Sequence, residues 1–94
     1  MKIGTEILSE VFAVIENRRD RPKGGSYVSN LLASGRVLEK IDEETRELVE
    51  AAQGGDRQAI VHEAADLIFH TMVLFAAKGV KLEEVMKELR QRRR

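Results

Sequence analysis

Acidic residues recur in the middle of the chain at a spacing suited to metal binding. Glu44 and Glu47 stand three residues apart, and Glu63 and Asp66 repeat that spacing. Residues three or four apart share one face of a helix, so each pair points in one direction. Carboxylate oxygens are the ligands that Mg²⁺ takes from proteins, and an all-oxygen set favours Mg²⁺ or Mn²⁺ over zinc or iron. The pattern therefore predicts a Mg²⁺ site, with Mn²⁺ as the alternative ion.

The apolar residues around these acids favour a metal over a plain solvent-facing surface. Glu44 shares a helical stripe with Ile41 and Leu48, and Glu47 lies at the edge of that stripe. An ionised carboxylate in apolar surroundings is costly unless it finds a partner, and clustered acids also repel one another. The segment HEAAD from His62 begins like the zinc motif H-E-x-x-H, but Asp66 replaces the second histidine that the motif requires.

Apolar spacing and capping residues predict the helices that would carry these acids. Ser26 and Asp56 are suitable N-caps, and Gly35 and Gly79 suit helix ends. Helices are expected over residues 3–18, 27–34, 37–54 and 57–78 and from residue 82 onward. Within the segment 57–78, residues 64–77 are apolar nearly all round, which is typical of a central, fully packed helix. With no strand pattern, we expect an all-α bundle of four to five helices in one domain, residues 1–94.

Length and composition limit the function classes. A chain of 94 residues is one domain's worth, and its small core favours completion by a second subunit. Sixteen basic and sixteen acidic residues cancel, so no net charge favours nucleic acid or an anionic membrane. The absence of cysteine suits a reducing compartment. With no signal-peptide pattern and no apolar stretch judged long enough to span a bilayer, we expect a cytoplasmic protein.

Two acidic segments resemble a known signature. EETRE, residues 43–47, and EAAD, residues 63–66, resemble the E-E-x-x-E … E-x-x-D signature of the all-α, MazG-like nucleotide pyrophosphohydrolases. The segments GSYVSNLLASG and DLIFHTMVL are similar to the phosphoribosyl-ATP pyrophosphohydrolase family within that group. Asn30 departs from the family, which commonly has lysine at that position. The resemblance covers nearly the whole chain and implies a helical bundle that works as a homodimer.

The resemblance also implies an activity and a set of site residues. The reaction would cleave 1-(5-phosphoribosyl)-ATP between its α and β phosphates, the second step of L-histidine biosynthesis, and release pyrophosphate. Glu44, Glu47, Glu63 and Asp66 would bind Mg²⁺. Glu43, which matches the first acid of the signature, and Glu47 would be the catalytic residues, with Glu43 acting as a general base or as a hydrogen-bonding partner of the metal ligands.

Cations and polar groups are needed for a polyanionic nucleotide substrate. Lys40, one turn before Glu44, is expected to contact phosphate or to balance the acids. A loop with proline, glycine and basic residues is predicted over residues 18–26, RRDRPKGGS, and is called the basic loop below. The remaining substrate-binding candidates lie in or next to it: Arg21, Lys23, Ser26 and Tyr27. His70, four residues after Asp66, is interpreted first as a hydrogen-bonded core residue and otherwise as a donor to an acid or a phosphate.

Two other functions are consistent with the same residues. A housekeeping pyrophosphohydrolase for ordinary or damaged nucleoside triphosphates would share the four acids and differ in the base and sugar pocket. A non-catalytic dimerisation module, with acids that merely pair with arginines, would gain no stability from a metal.

Overall fold

Five helices form the protein in a computed structural model that describes residues 3–94. They are α1 (Glu6–Asp20), α2 (Tyr27–Ser34), α3 (Val37–Gly54), α4 (Arg57–Lys78) and α5 (Leu82–Gln91). No strand occurs in the described part of the chain. The predicted all-α architecture is confirmed.

Local capping chemistry places most of the helix ends. The side chains of Ser26 and Asp56 accept hydrogen bonds from the first turns of α2 and α4, as predicted. Gly35, Gly55 and Gly79 follow α2, α3 and α4 with φ values of 69°, 76° and 70°, a left-handed conformation that glycine adopts without steric cost. The boundaries of α2 and α4 match the predicted ones residue for residue.

The start of α1 was predicted wrongly. The apolar spacing extended this helix to Ile3, but α1 begins at Glu6, after Thr5. Ile3 is exposed, so no packing favours a helical conformation there. Gly4, a poor helix former, lies between Ile3 and the first residue of α1. The helix therefore begins later in the chain than the apolar pattern predicts.

The core lies along α4, which packs mainly on α3 and also on α1 and α2. Val73 and Ala76 of α4 are almost fully buried, together with Ile15 of α1. However, Val61 and Ile68 of α4 are 64% and 50% exposed, so the prediction of a fully packed helix is wrong on one side. The described helices cover the other sides of α4 and leave this apolar side open.

The length and composition of α4 also correct one expectation from the sequence. This helix of 22 residues is long and apolar enough to cross a membrane by those two criteria alone. The core helix of a soluble protein meets the same criteria, and α4 contributes Met72, Val73 and Ala76 to the hydrophobic core. However, only 22% of the apolar stretch is buried, so packing within the described helices accounts for one part of its apolar character and leaves the open side unexplained.

Candidate metal centre

The connection between α3 and α4 places the four acids at matching heights. Only Gly55 and Asp56 separate the two helices, which pack against each other as a hairpin. Glu47 and Glu63 each lie eight residues from Gly55 along the chain, and Glu44 and Asp66 each lie eleven from it. Because a helix rises by a constant amount per residue, residues equally far from the turn lie at the same level.

The acids of α3 form a cluster around a buried carboxylate. Oxygen atoms of Glu43, Glu44 and Glu47 lie within 4.8 Å of one another. Glu44 is only 5% exposed, whereas Glu43 and Glu47 are partly buried. The Oε2 atom of Glu44 is buried without any hydrogen-bond partner. A buried acceptor without a partner is costly, so this oxygen is suited to a cation ligand.

Lys40 supplies the positive charge next to this cluster. Its Nζ lies 3.4 Å from Oε1 of Glu43 and 3.5 Å from Oε1 of Glu44. Partial desolvation lowers the pKa of Lys40, but the hydrogen bond to Glu43 and the negative charges of Glu43 and Glu44 outweigh it and leave the pKa raised. Lys40 therefore balances the acids, one of the two roles expected for it.

The acids of α4 form a second cluster that includes a histidine. Ligand atoms of His62, Glu63 and Asp66 lie within 4.8 Å of one another. His62 is exposed, and its Nε2 lies 3.4 Å from Oδ2 of Asp66. The sequence interpretation left His62 out of the site because its zinc motif was incomplete. Its four-residue spacing from Asp66, which puts both on one helix face, was the signal that could have included it.

The basic loop after α1 is anchored to α2 through a buried serine. Ser29 accepts a hydrogen bond from the Lys23 backbone at 3.1 Å, and its hydroxyl donates to the Arg18 carbonyl at 2.9 Å. The Ser26 side chain accepts from the Ser29 backbone N–H at 3.2 Å. Arg21 and Lys23 are exposed, and no ion pair joins either to an acid within residues 3–94. Their cations are open to solvent.

His70 is a hydrogen-bonded core residue, the first of its two interpretations. It is 5% exposed, and both ring nitrogens have partners. Nδ1 lies 2.7 Å from the backbone carbonyl oxygen of Asp66, and Nε2 lies 2.8 Å from the hydroxyl of Tyr27. The contact with Asp66 is thus made to its main chain and not to its carboxylate.

Comparison with known proteins identifies relatives along nearly the whole chain. Residues 8–93 match the family model described as phosphoribosyl-ATP pyrophosphohydrolase. The chain is 46% identical to the phosphoribosyl-ATP pyrophosphatase of Methanocella arvoryzae, over 95% of this chain and 98% of that protein. It is 44% identical to the enzyme of the same name from Methanopyrus kandleri, over 95% and 96%. It is also 44% identical to the histidine biosynthesis bifunctional protein HisIE of Nostoc, over 95% of this chain and 42% of that protein.

Proposed function

Because the chain belongs to the phosphoribosyl-ATP pyrophosphohydrolase family, we propose that its α3–α4 hairpin hydrolyses 1-(5-phosphoribosyl)-ATP. The products are 1-(5-phosphoribosyl)-AMP and pyrophosphate, and the reaction is the second step of L-histidine biosynthesis. The observation that carries the proposal is the buried Oε2 of Glu44, which has no hydrogen-bond partner inside a cluster of acids. Residues 1–94 are proposed to act as one domain.

The donor set fits a hard divalent cation. We propose that Glu44, Glu47, Glu63 and Asp66 bind Mg²⁺, with Mn²⁺ as the alternative. All four offer carboxylate oxygens, and Glu44 offers one that nothing else uses. When bound, such an ion neutralises the charge of a triphosphate and lowers the pKa of a coordinated water.

The other polar residues have roles that follow from their environment. Glu43 and Glu47 are the proposed catalytic carboxylates: Glu43 acts as the general base that accepts the proton of the attacking water, and Glu47 acts as one of the metal ligands. Glu43 has a side chain that is 44% exposed, so a water molecule can reach it. Lys40, between Glu43 and Glu44, lies where it can donate to a phosphate oxygen once a cation balances the acids.

The substrate is proposed to reach the acids from the side of α2 and the basic loop. Arg21 and Lys23 are exposed there and free to pair with phosphate. The oxygen of Ser26 accepts from Ser29, which leaves its hydroxyl proton for a substrate oxygen. Tyr27 is half exposed beside His70.

We further propose that the protein works as a homodimer in the cytoplasm. A groove of about 440 Å³ runs between α1 and α4, lined by Ile7, Val11, Ile68 and Phe69 with Asp66 at its edge. Ile7 and Ile68 are 44% and 50% exposed. Apolar side chains that share an open surface next to a site mark an interaction surface. A second copy covering this groove would bury them next to Asp66.

The test is a pyrophosphate-release assay with the purified protein. The substrates are phosphoribosyl-ATP, ATP and dUTP, each with and without Mg²⁺. We expect Mg²⁺-dependent release from phosphoribosyl-ATP and its loss in Glu47→Gln. Glu50→Gln is the matched control, because Glu50 is an exposed acid on the same helix.

Each other result of the assay points to a different function. Release mainly from ATP or dUTP would refute the proposed substrate and indicate a housekeeping triphosphate pyrophosphohydrolase. An active Glu47→Gln variant would refute the assigned role of that acid. No release from any substrate would refute catalysis and favour the dimerisation module.

A further inference from the structure

A buried imidazole joins the metal-binding helix to the start of α2. His70 bridges the Asp66 backbone carbonyl, at 2.7 Å, and the Tyr27 hydroxyl, at 2.8 Å. Asp66 belongs to the acid cluster of α4, and Tyr27 is the first residue of α2. The imidazole thus connects two elements that border the proposed site.

The direction of these hydrogen bonds follows from the chemistry of the partners. A carbonyl oxygen can only accept, so the proton of the neutral imidazole is on Nδ1. Nε2 then has a lone pair and no proton, so the Tyr27 hydroxyl must donate to it. With its proton engaged in this way, the phenolic oxygen of Tyr27 can only accept further hydrogen bonds.

Aromatic contacts hold the Tyr27 ring in place while one side of it stays open. The rings of Tyr27 and His70 meet edge to face, with centroids 5.7 Å apart and an interplanar angle of 86°. Phe69 contacts the same imidazole edge to face at 5.3 Å. Edge-to-face packing is a favourable arrangement of aromatic rings. Tyr27 is nevertheless 50% exposed, so a substrate can reach it.

The imidazole also places Tyr27 near the acid cluster of α4. The Tyr27 hydroxyl lies 2.8 Å from Nε2 of His70, whose Nδ1 lies 2.7 Å from the backbone carbonyl oxygen of Asp66. A single imidazole ring therefore separates the phenolic oxygen from a residue of that cluster.

Resting on the proposed function, we propose that the Tyr27 oxygen accepts a hydrogen bond from a donor group of the substrate, and that His70 is the residue that positions it. A nucleotide offers two kinds of neutral donor, ribose hydroxyls and the exocyclic nitrogen of the base. A fixed acceptor favours substrates that present a donor at this point, because a substrate without one leaves the oxygen unpaired.

The variants are chosen to separate positioning from stability. Tyr27→Phe removes the hydroxyl and keeps the ring. His70→Leu removes the acceptor, and His70→Gln restores an acceptor close to the position of Nε2. Thr71→Val is the matched control, because it deletes a similar hydrogen bond, from the Thr71 hydroxyl to the Leu67 carbonyl at 2.7 Å, one residue along α4.

We expect Tyr27→Phe to lower kcat/KM for phosphoribosyl-ATP roughly tenfold, mainly through KM, the size of one lost neutral hydrogen bond. Mg²⁺ affinity, measured by calorimetry, should not change. His70→Leu should give a similar loss, the double variant should lose no more than either single one, and His70→Gln should recover most of it. When one residue acts through another, the effects of substituting both do not add, because the second substitution removes nothing further.

Fluorescence gives a readout independent of activity. Tyr27 is the only tyrosine and the chain has no tryptophan, so its emission reports on this phenol alone. We expect His70→Leu to change the emission and Thr71→Val to leave it unchanged. A 2′-deoxy analogue of the substrate identifies the donor: a Tyr27→Phe effect that vanishes with the analogue assigns the 2′-hydroxyl, and one that persists assigns another donor.

Two results would overturn the inference while the proposed function stands. One is wild-type kcat/KM in Tyr27→Phe, which would show that the phenolic oxygen is not used. The other is a double variant whose loss equals the product of the single losses, which would show that His70 does not act through Tyr27. Failure of the wild-type protein to release pyrophosphate would instead overturn the proposed function.

Discussion

Replacing the buried Glu44 by leucine should stabilise the metal-free protein while removing its response to Mg²⁺. Glu44 is 5% exposed, its Oε2 has no partner, and its Oε1 lies 3.5 Å from Nζ of Lys40. Leucine removes the unsatisfied oxygen and keeps apolar volume at the position. Lys40 keeps Glu43 as a partner, so the change leaves no isolated cation.

The expected size follows from two opposing contributions. An unsatisfied buried acceptor costs about 1–3 kcal/mol, which the leucine would recover. The lost Lys40–Glu44 contact is worth about 1 kcal/mol, because its separation of 3.5 Å is long and Lys40 keeps Glu43 as a second partner. The net gain is therefore about 0–2 kcal/mol. For a domain of this length, each 1 kcal/mol raises Tm by about 4–8 °C.

The assay is thermal unfolding of both proteins at one protein concentration, in EDTA and in excess Mg²⁺. A ligand at about one hundred times its Kd stabilises the folded state by about 2.7 kcal/mol. The wild type should therefore gain Tm with Mg²⁺, and Glu44→Leu should start higher in EDTA and gain little. Glu50→Leu, at an exposed position on α3, is the control and should move Tm little in either condition.

The refuting result is a reversal of sign. If Glu44→Leu lowers Tm in EDTA and keeps the full Mg²⁺ shift, then Glu44 stabilises the bundle as an ordinary ion-pair partner. The explanation of the buried carboxylate as a metal ligand would then be wrong.

The remaining predictions concern single side chains. Lys40→Met should raise Mg²⁺ affinity in calorimetry by about fivefold, because a competing cation is removed, and should lower kcat/KM through the lost phosphate contact. Ser26→Ala removes an N-cap and should cost about 1 kcal/mol in urea unfolding. A hydrogen bond from Arg19 holds the pKa of Asp20 below its ordinary 3.8. Its stabilising contribution is thus present above that value and lost as pH falls through the lowered pKa. The stability difference between wild type and Asp20→Asn should accordingly shrink in acid.

Part of the site followed from the sequence because helical spacing is local. The three-residue spacing of Glu44 and Glu47, repeated in Glu63 and Asp66, indicates shared helix faces before any tertiary contact is known. Asp56 and the glycine before it mark the turn between the two helices, and the turn sets the register of the two pairs. The roles of these acids in metal binding stay predictions that the stability and activity assays test.

Other features of the site depend on how the helices pack. Spacing placed Glu44 in the apolar sector with Lys40 one turn away, but only the packed bundle buries its Oε2 without a hydrogen-bond partner. The basic loop was visible in the sequence, whereas its anchor, the buried Ser29, required the position of α2 against the end of α1. Likewise, the apolar run of α4 did not reveal that Ile68 faces outward.

The sequence by itself determined most of the helix ends and which acids share a face, because caps and a period of 3.6 residues depend on neighbours within a few positions. The tertiary structure alone decided that His70 meets the hydroxyl of Tyr27, 43 residues away in the chain. Such a contact depends on how α2 and α4 are rotated and offset against each other. The packing of whole side-chain surfaces sets that rotation, and no local pattern encodes it.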